Sequence, residues 1–307
     1  MDLVQGPDAS VDASRRLRDL RWALALPSLV VPSAPADVRR SPSAGEAVRV
    51  ATDPAHWMPA RFFSMLSDSL DTLPSAEQTA LAARIPDVGR RRHGIVYEDM
   101  LALVFEKCEG VRLLARDIVV ADRGRTLGQA DFLLEWEGQI HHLEVAIKFY
   151  LRRGAPGDIG SYTGIHPRDR LDHKLAHMLY HQRRILDGTV ANDELRRRGL
   201  PLPDRRVVSL RGVVYSPLEE AGTAVPPRWW GSVSQWSRLP QFSTLLWTAV
   251  SRAEQFAPLS GGGQRWEPAG DLDPAGRLSS TDGPLLVAGS VPGGGEITRG
   301  YVVRNGA

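Results

Sequence analysis

Residues 129–150 alternate polar and apolar side chains along two arms that meet at Glu137-Gly138. An antiparallel hairpin accommodates this pattern on both arms, because successive strand side chains point to opposite faces. On the second arm Leu143, Val145, Ile147 and Phe149 face one way, and His142, Glu144, Ala146 and Lys148 the other. On the first, Phe132, Leu134 and Trp136 form the apolar row, opposite in direction to Asp131, Leu133 and Glu135. A two-residue loop pairs Trp136 with Gln139, Phe132 with Leu143 and Asp131 with Glu144. The register that joins the apolar rows therefore sets two carboxylates side by side. Glu-Gly is a poor type I′ turn, so a bulged loop that shifts the register by one residue remains an alternative.

The flanking segments complete an α/β pattern. Helical periodicity marks Gly94–Lys107, and Val111–Val120 is a strand rich in Val and Ile. Asp169–Leu186 reads as a helix with the stripe Leu171, Leu175, Leu179 and Leu186, and Arg206–Tyr215 as a further strand. The order α-β-β-β-α-β implies a mixed sheet with helices packed on it. Upstream, Ser10–Leu26, Pro59–Leu73 and Ser75–Ala83 read as helices, with a Pro/Ala/Ser linker at Pro32–Ser43. Downstream, 260–283 reads as a Gly/Pro-rich loop before the strands Leu285–Val291 and Ile297–Val303. The expected division is a helical region with its linker over 1–84, a core over 85–216 and a C-terminal lobe over 217–307.

Composition excludes several classes of function. The single cysteine, Cys108, rules out an internal disulfide framework and a Cys-based zinc cluster. With 38 Lys+Arg against 36 Asp+Glu, the net charge of +2 indicates neither a nucleic-acid coat nor a polybasic anchor, so a phosphate-binding surface has to be local. No apolar run reaches the ~18–20 residues of a membrane span. The run Trp22–Val31 is broken by Pro27 and preceded by Asp8, Asp12 and Asp19, which favours a short packing helix over a signal peptide; a cytoplasmic protein is expected. Only three basic residues are lysines, Lys107, Lys148 and Lys174. A lysine kept in so Arg-rich a chain points weakly to positions that need a compact ammonium.

Adjacent carboxylates repel unless a cation or a shared proton lies between them. Two such groups with a lysine on the same strand face suit metal-assisted phosphodiester hydrolysis. Carboxylate oxygens hold a hard cation, and the ammonium stabilises charge developing on the phosphate. Taken alone, the hairpin favours a plainer reading, a solvated sheet face with unrelated charges. Two further polar residues shift the balance. Glu98 shares a helical stripe with Leu101, Ala102 and Phe105, and Gln182 interrupts the stripe of the later helix. A buried carboxylate needs a cation or hydrogen-bond partner. His173, His177 and His181 recur at i, i+4 and i+8, but three such residues span about 12 Å of helix and cannot share one zinc ion. They read as solvated or phosphate-facing.

These residues resemble the PD-(D/E)XK nuclease superfamily, whose restriction-endonuclease-like core is an αβββαβ unit. The resemblance implies a metal site of Glu98, Asp131 and Glu144 with the Val145 carbonyl, a catalytic role for Lys148, and Gln182 at the polar position of the following helix. More closely, the chain resembles the bacterial family catalogued as domain of unknown function 1853. The matching stretches are Arg18-Asp19-Leu20-Arg21-Trp22-Ala23-Leu24, Thr126 to Leu134 (TLGQADFLL), His142 to Leu151 (HLEVAIKFYL), Asp169 to Leu175 (DRLDHKL), His181-Gln182 and Trp229-Trp230. The usual Glu-x-Lys is here Glu-x-x-x-Lys, which moves the ammonium about 7 Å farther along an extended strand. Gln129 stands where the family pattern commonly has Glu.

The resemblance implies a nuclease that uses Mg2+ or Mn2+ to hydrolyse phosphodiester bonds in DNA. Arg152, Arg153 and Arg168, on the segment between hairpin and helix, are candidates for phosphate contacts, as is Lys174. The Arg90-Arg91-Arg92-His93 run could add to them, and Trp229 and Trp230 either stack on bases or pack in a core. The competing class is a nuclease-fold scaffold that binds nucleic acid or a protein partner without turnover.

Overall fold

The computed structural model describes residues 9–33, 48–262, 264–279 and 283–305. In chain order its elements are α1 (Ala9–Ala25), β1 (Val30–Ser33), β2 (Val48–Ala51), α2 (Ala60–Thr72), α3 (Ser75–Arg84), α4 (His93–Phe105), β3 (Val111–Asp122), β4 (Arg125–Trp136), β5 (Gln139–Arg152), β6 (Tyr162–Thr163) and α5 (Leu171–Tyr180). There follow α6 (Thr189–Arg197), β7 (Arg205–Pro217), β8 (Arg228–Ser232), α7 (Val233–Ser237), α8 (Pro240–Ser243), β9 (Leu246–Ala249), β10 (Glu267–Pro268), α9 (Pro274–Ser279), β11 (Leu285–Ser290) and β12 (Glu296–Val303). The protein is mixed α/β, with parallel and antiparallel strand pairs. Among the described residues no helix is long and apolar enough to cross a membrane.

The chain forms two compact units. The first takes the residues up to Asp87, then Arg91–Lys148 and His173–Arg211; the second takes Val88–Arg90, Phe149–Asp172 and the chain from Gly212 onward. This differs from the expected division. The N-terminal helices share a unit with most of the predicted core, while the ends of β5 and β7 belong with the C-terminal segment. The predicted linker lies outside the described residues except for Pro32 and Ser33, which close β1. The run Trp22–Val31 is not one helix: α1 stops at Ala25 and β1 starts at Val30, on either side of Pro27.

In the first unit β1 and β2 form a separate parallel pair, and the other strands run in the order β7-β5-β4-β3. Adjacent residues of β4 reach opposite faces, and each face is covered. On one, the Phe105 ring meets Phe132 edge-on at 5.2 Å, and Phe62 of α2 stands 5.1 Å from Trp136. Leu133, on the other, belongs to a cluster with Ile118, Val120, Ala130, Leu186, Ala191 and Leu195. Each Leu, Ile, Val or Phe among them contributes about 1.5–3 kcal/mol on burial, so β4 is clamped from both sides.

The predicted helix Asp169–Leu186 is shorter than its periodicity implies. α5 ends at Tyr180, and a 3-10 turn over Gln182–Arg184 follows. α6 was not anticipated. It buries Ala191 and Leu195, and two apolar residues one turn apart leave too little periodic signal among the arginines. The Gly/Pro-rich stretch 260–283 contains β10 and α9 among its described residues.

In the second unit the remaining strands follow the order β7-β8-β12-β11-β9-β10, and β6 pairs with the end of β5. Its core gathers Trp229, Trp236, Phe242 and Trp247. Trp229 is fully buried and its Nε1 donates to Thr298 Oγ1 at 3.0 Å. A Cβ at position 300 would come within 2.1 Å of that indole, so Gly300 is what lets Trp229 lie on β12.

Candidate functional site: crossed carboxylates at the end of a strand ladder

The hairpin register is the one that the two-residue loop implies. Trp136 pairs with Gln139, and Phe132 with Leu143. Glu137 and Gly138 adopt φ of 50° and 69°, the left-handed pair that a type I′ turn needs, so no bulge shifts the strands. A left-handed Glu costs about 1–2 kcal/mol. Arg61 offsets part of this, pairing with Glu137 at 2.6 Å while its guanidinium lies 5.0 Å from the Trp136 ring centre.

The β4–β5 pairing stops at Phe132 and Leu143. At the next position side chains take over from the backbone ladder. The Asp131 N–H donates to Glu144 Oε1 at 3.3 Å, and the Val145 N–H donates to Asp131 Oδ2 at 2.9 Å. Each carboxylate thus receives a backbone N–H of the opposite strand. Glu144 is 0% exposed, which contradicts a solvated sheet face. Both faces of β5 are covered from His141 to Ile147.

Two more donors converge on Glu144. His142, two residues earlier on the same strand face, has Nε2 2.7 Å from Oε1, and Gln182 Nε2 donates to Oε2 at 2.9 Å. Burial holds the His142 pKa down to about 4, so the ring is neutral and donates through Nε2–H. Gly128 lies against the residues that flank Gln182. A Cβ there would sit 2.5 Å from Ile185 Cδ1, so the glycine leaves room against β4 for the Ile185 side chain, three residues after Gln182.

The donors do not compensate the charge. Burial, with Glu144 alongside, raises Asp131 to about 7, and burial raises Glu144 to about 7. Both carboxylates therefore have a raised affinity for a proton near neutral pH. Glu98, half-buried on α4, is raised to about 8 by burial and by the charges of Asp131 and Asp117. Asp117 was not singled out from the sequence. It sits on β3 at a φ of 55°, a left-handed conformation that is uncommon outside glycine, and its carboxylate pairs with Arg116 Nε at 2.9 Å and accepts from Gln129 Nε2 at 2.7 Å. The Asp-for-strand-former interruption within Val111–Val120 was its sequence signal. His142 shares the Glu144 face by strand alternation, which is the sequence signal for its contact.

The structure thus brings Asp131, Glu144 and Gln182 into hydrogen-bonded contact and places Glu98 within electrostatic reach of Asp131. Lys148 lies four residues beyond Glu144 on β5, roughly 13 Å along an extended strand. The lysine whose charge acts on both carboxylates is Lys174 of α5.

Of the predicted phosphate contacts, Lys174 lies in the first unit and Arg152, Arg153 and Arg168 in the second, where two of the arginines have protein partners. Arg152 is buried, donates to the Gly154 carbonyl at 2.9 Å and forms a bidentate pair with Glu220. Its role there is structural. Arg153 donates to Thr163 Oγ1 at 3.1 Å and lies 4.9 Å over the Trp230 ring, and Arg168 is exposed. Trp230 donates to the Arg152 carbonyl at 2.9 Å, so both tryptophans of the pair make structural hydrogen bonds. Among the described residues no three or more His, Cys, Asp and Glu side chains are grouped to hold a metal ion, and the His177 and His181 rings, 5.0 Å apart, form no such group.

A family model described as Domain of unknown function (DUF1853) matches residues 18–303, and the chain belongs to that family. No curated protein and no solved structure matches the chain.

Proposed function

We propose that this protein is a Mg2+- or Mn2+-dependent nuclease that hydrolyses phosphodiester bonds in DNA, with Asp131 and Glu144 as metal ligands. The observation that carries this reading is the crossed pair itself. Two buried carboxylates sit where a strand ladder ends, and their proton affinities are raised to the neutral range, so the site gains most by taking up positive charge. The order α4-β3-β4-β5-β6-α5-α6-β7 supports it, following the αβββαβ plan of restriction-endonuclease-like cores with the two-residue β6 and α6 inserted.

The donor set fits a hard divalent cation: two carboxylates, with the Val145 carbonyl beside them and Glu98 as an outer or second ligand. Such a cation would polarise the scissile phosphate and lower the pKa of an attacking water. The residues that surround the ligands fix their orientation. Val145 N–H holds Asp131, while His142 and Gln182 hold the two oxygens of Glu144. In the reaction one P–O bond forms to the water oxygen, which gives up a proton to solvent. The other P–O bond breaks, and the departing oxygen takes up a proton.

The test is incubation of supercoiled plasmid, linear duplex, single-stranded DNA and an RNA with the full chain in EDTA, Mg2+ and Mn2+. Metal-dependent cleavage of DNA, lost in Asp131→Asn and Glu144→Gln, is expected. If every substrate stays intact while nucleic acid is still bound by wild type and both variants, the chain is a scaffold without turnover.

A further inference from the structure

The three lysines have distinct settings. Lys107 pairs with Glu77 at 3.0 Å on the surface. Lys148 stands about four strand residues beyond Glu144. Lys174, on the fourth residue of α5, donates from Nζ to Gln182 Oε1 at 2.9 Å. The same amide donates from Nε2 to Glu144 Oε2 at 2.9 Å. An ammonium only donates and a carboxylate anion only accepts, so the Gln182 amide has one satisfactory orientation. It forms a polarised bridge from Lys174 to Glu144. His177 Nδ1 approaches the same Oε1 at 3.0 Å from α5, so that oxygen serves as the anchor for two donors of the helix.

We propose that Lys174, positioned by Gln182, is the cation that acts on the substrate phosphate at the Asp131/Glu144 site, in place of Lys148; this rests on the nuclease reading above. Lys174 is half-buried, and its charge lowers the proton affinity of both carboxylates. Its ammonium is thus electrostatically coupled to the ligands, and a phosphate drawn to them comes under the same field. Charge builds on the non-bridging oxygens as the water oxygen adds, and a preorganised ammonium offsets it there. Gln182 touches neither phosphate nor water in this account and acts as a positioning residue. A compact ammonium satisfies a single amide oxygen where a planar guanidinium would spread its donors, which accounts for a lysine in a chain whose other basic side chains are nearly all Arg.

The experiment compares Lys174→Met, Lys174→Ala, Lys148→Met, Gln182→Leu and, as surface control, Lys107→Met in the full chain. Two readouts are taken, cleavage rate at saturating Mn2+ and Mn2+ affinity. Lys174→Met is expected to lose about 100-fold or more in kcat while binding Mn2+ several-fold more tightly, because a repelling charge has gone. Lys148→Met is expected to lose less than Lys174→Met and to leave Mn2+ affinity unchanged, and Lys107→Met to match wild type. Alkylammonium ions added to Lys174→Ala are expected to restore part of the rate, which a merely structural lysine would not allow. Gln182→Leu is expected to lower kcat with Lys174 still present.

If wild type cleaves DNA and Lys174→Met retains its rate, or Lys148→Met is the more damaged, the assignment to Lys174 is overturned and the nuclease reading stands. If wild type cuts nothing yet Lys174→Met tightens Mn2+ selectively, the placement of Lys174 is supported and the reaction is what fails. No Mn2+ binding by wild type overturns both.

Discussion

The two units each bury charge, and they do so in opposite ways. In the second unit Arg299 and Glu296 are both 1% exposed. The guanidinium donates to Glu296 through Nε at 2.8 Å and Nη2 at 2.5 Å, and to the carbonyls of Glu254, Gln255 and Ala257 at 3.1, 2.9 and 3.0 Å. Glu296 also accepts from the Leu259 N–H at 2.9 Å. Every charge there meets its opposite, and the Arg299 pKa is raised: its burial, which acts the other way, is outweighed by Glu296. In the first unit Asp131 and Glu144 face each other, and both are driven toward protonation. A buried charge that is saturated with partners locks a fold. One left short of positive charge is unstable as it stands and has a use for a cation from outside.

Substitution should separate the two clusters most sharply. Arg299→Met leaves Glu296 buried without its main partner, and the expected cost is about 3–5 kcal/mol in urea unfolding. Asp131→Asn is expected to do the reverse without metal, raising stability by about 1–2 kcal/mol at pH 8, since it removes a repulsion and the amide oxygen can still accept from Val145. Equal destabilisation by both would erase the distinction.

The pH response sharpens the same contrast. Asp131 and Glu144 have folded-state values near 7, well above the ordinary carboxylate range of an unfolded chain. The folded state therefore binds more protons between those limits. The stability due to this pair is fully present below about pH 4 and is lost as pH rises through 7. In EDTA, wild type should thus become less stable from pH 5 to pH 8, and Asp131→Asn should show a much flatter profile. A wild-type profile as flat as that of the variant would show that the pair is not charge-starved.

Smaller effects test the scaffolding. Gly128→Ala forces Ile185 and the turn behind it away from β4, with an expected loss of about 1–3 kcal/mol and weaker Mn2+ binding through the displaced Gln182. A stability loss with unchanged Mn2+ affinity would detach Gln182 from the metal site. Glu137→Asp should gain about 0.5 kcal/mol, because Asp-Gly suits a type I′ turn better than Glu-Gly. A loss in urea unfolding would mean that the reach of Glu137 to Arg61 matters more than the turn.

Much of the first unit could be read from the sequence because its determinants are local. Alternation over 129–150 gave the strands, the two-residue loop gave their register, and that register brought Asp131 to Glu144. Other features depend on contacts across the chain. Gln182 is recognisable as a polar break in an apolar stripe, but its partner Glu144 is 38 residues earlier, and no local pattern encodes that contact. Lys174 was visible only as a lysine on a helix, since its importance arises from an amide bridge that no spacing rule encodes. Arg152 looked like a phosphate ligand because Glu220, which occupies its guanidinium, is 68 residues away. The long β5 and β7 carried no sign that their ends would join a different unit from their beginnings.

If the crossed carboxylates form a divalent-cation site, calorimetric titration with Mn2+ at pH 7 detects it, with the heat followed in two buffers of different ionisation enthalpy. One Mn2+ should bind per chain with release of about one proton, as protons held by the two carboxylates are displaced, and binding should be lost in Asp131→Asn and Glu144→Gln. Absence of binding by wild type, or binding that survives both substitutions, would contradict the account.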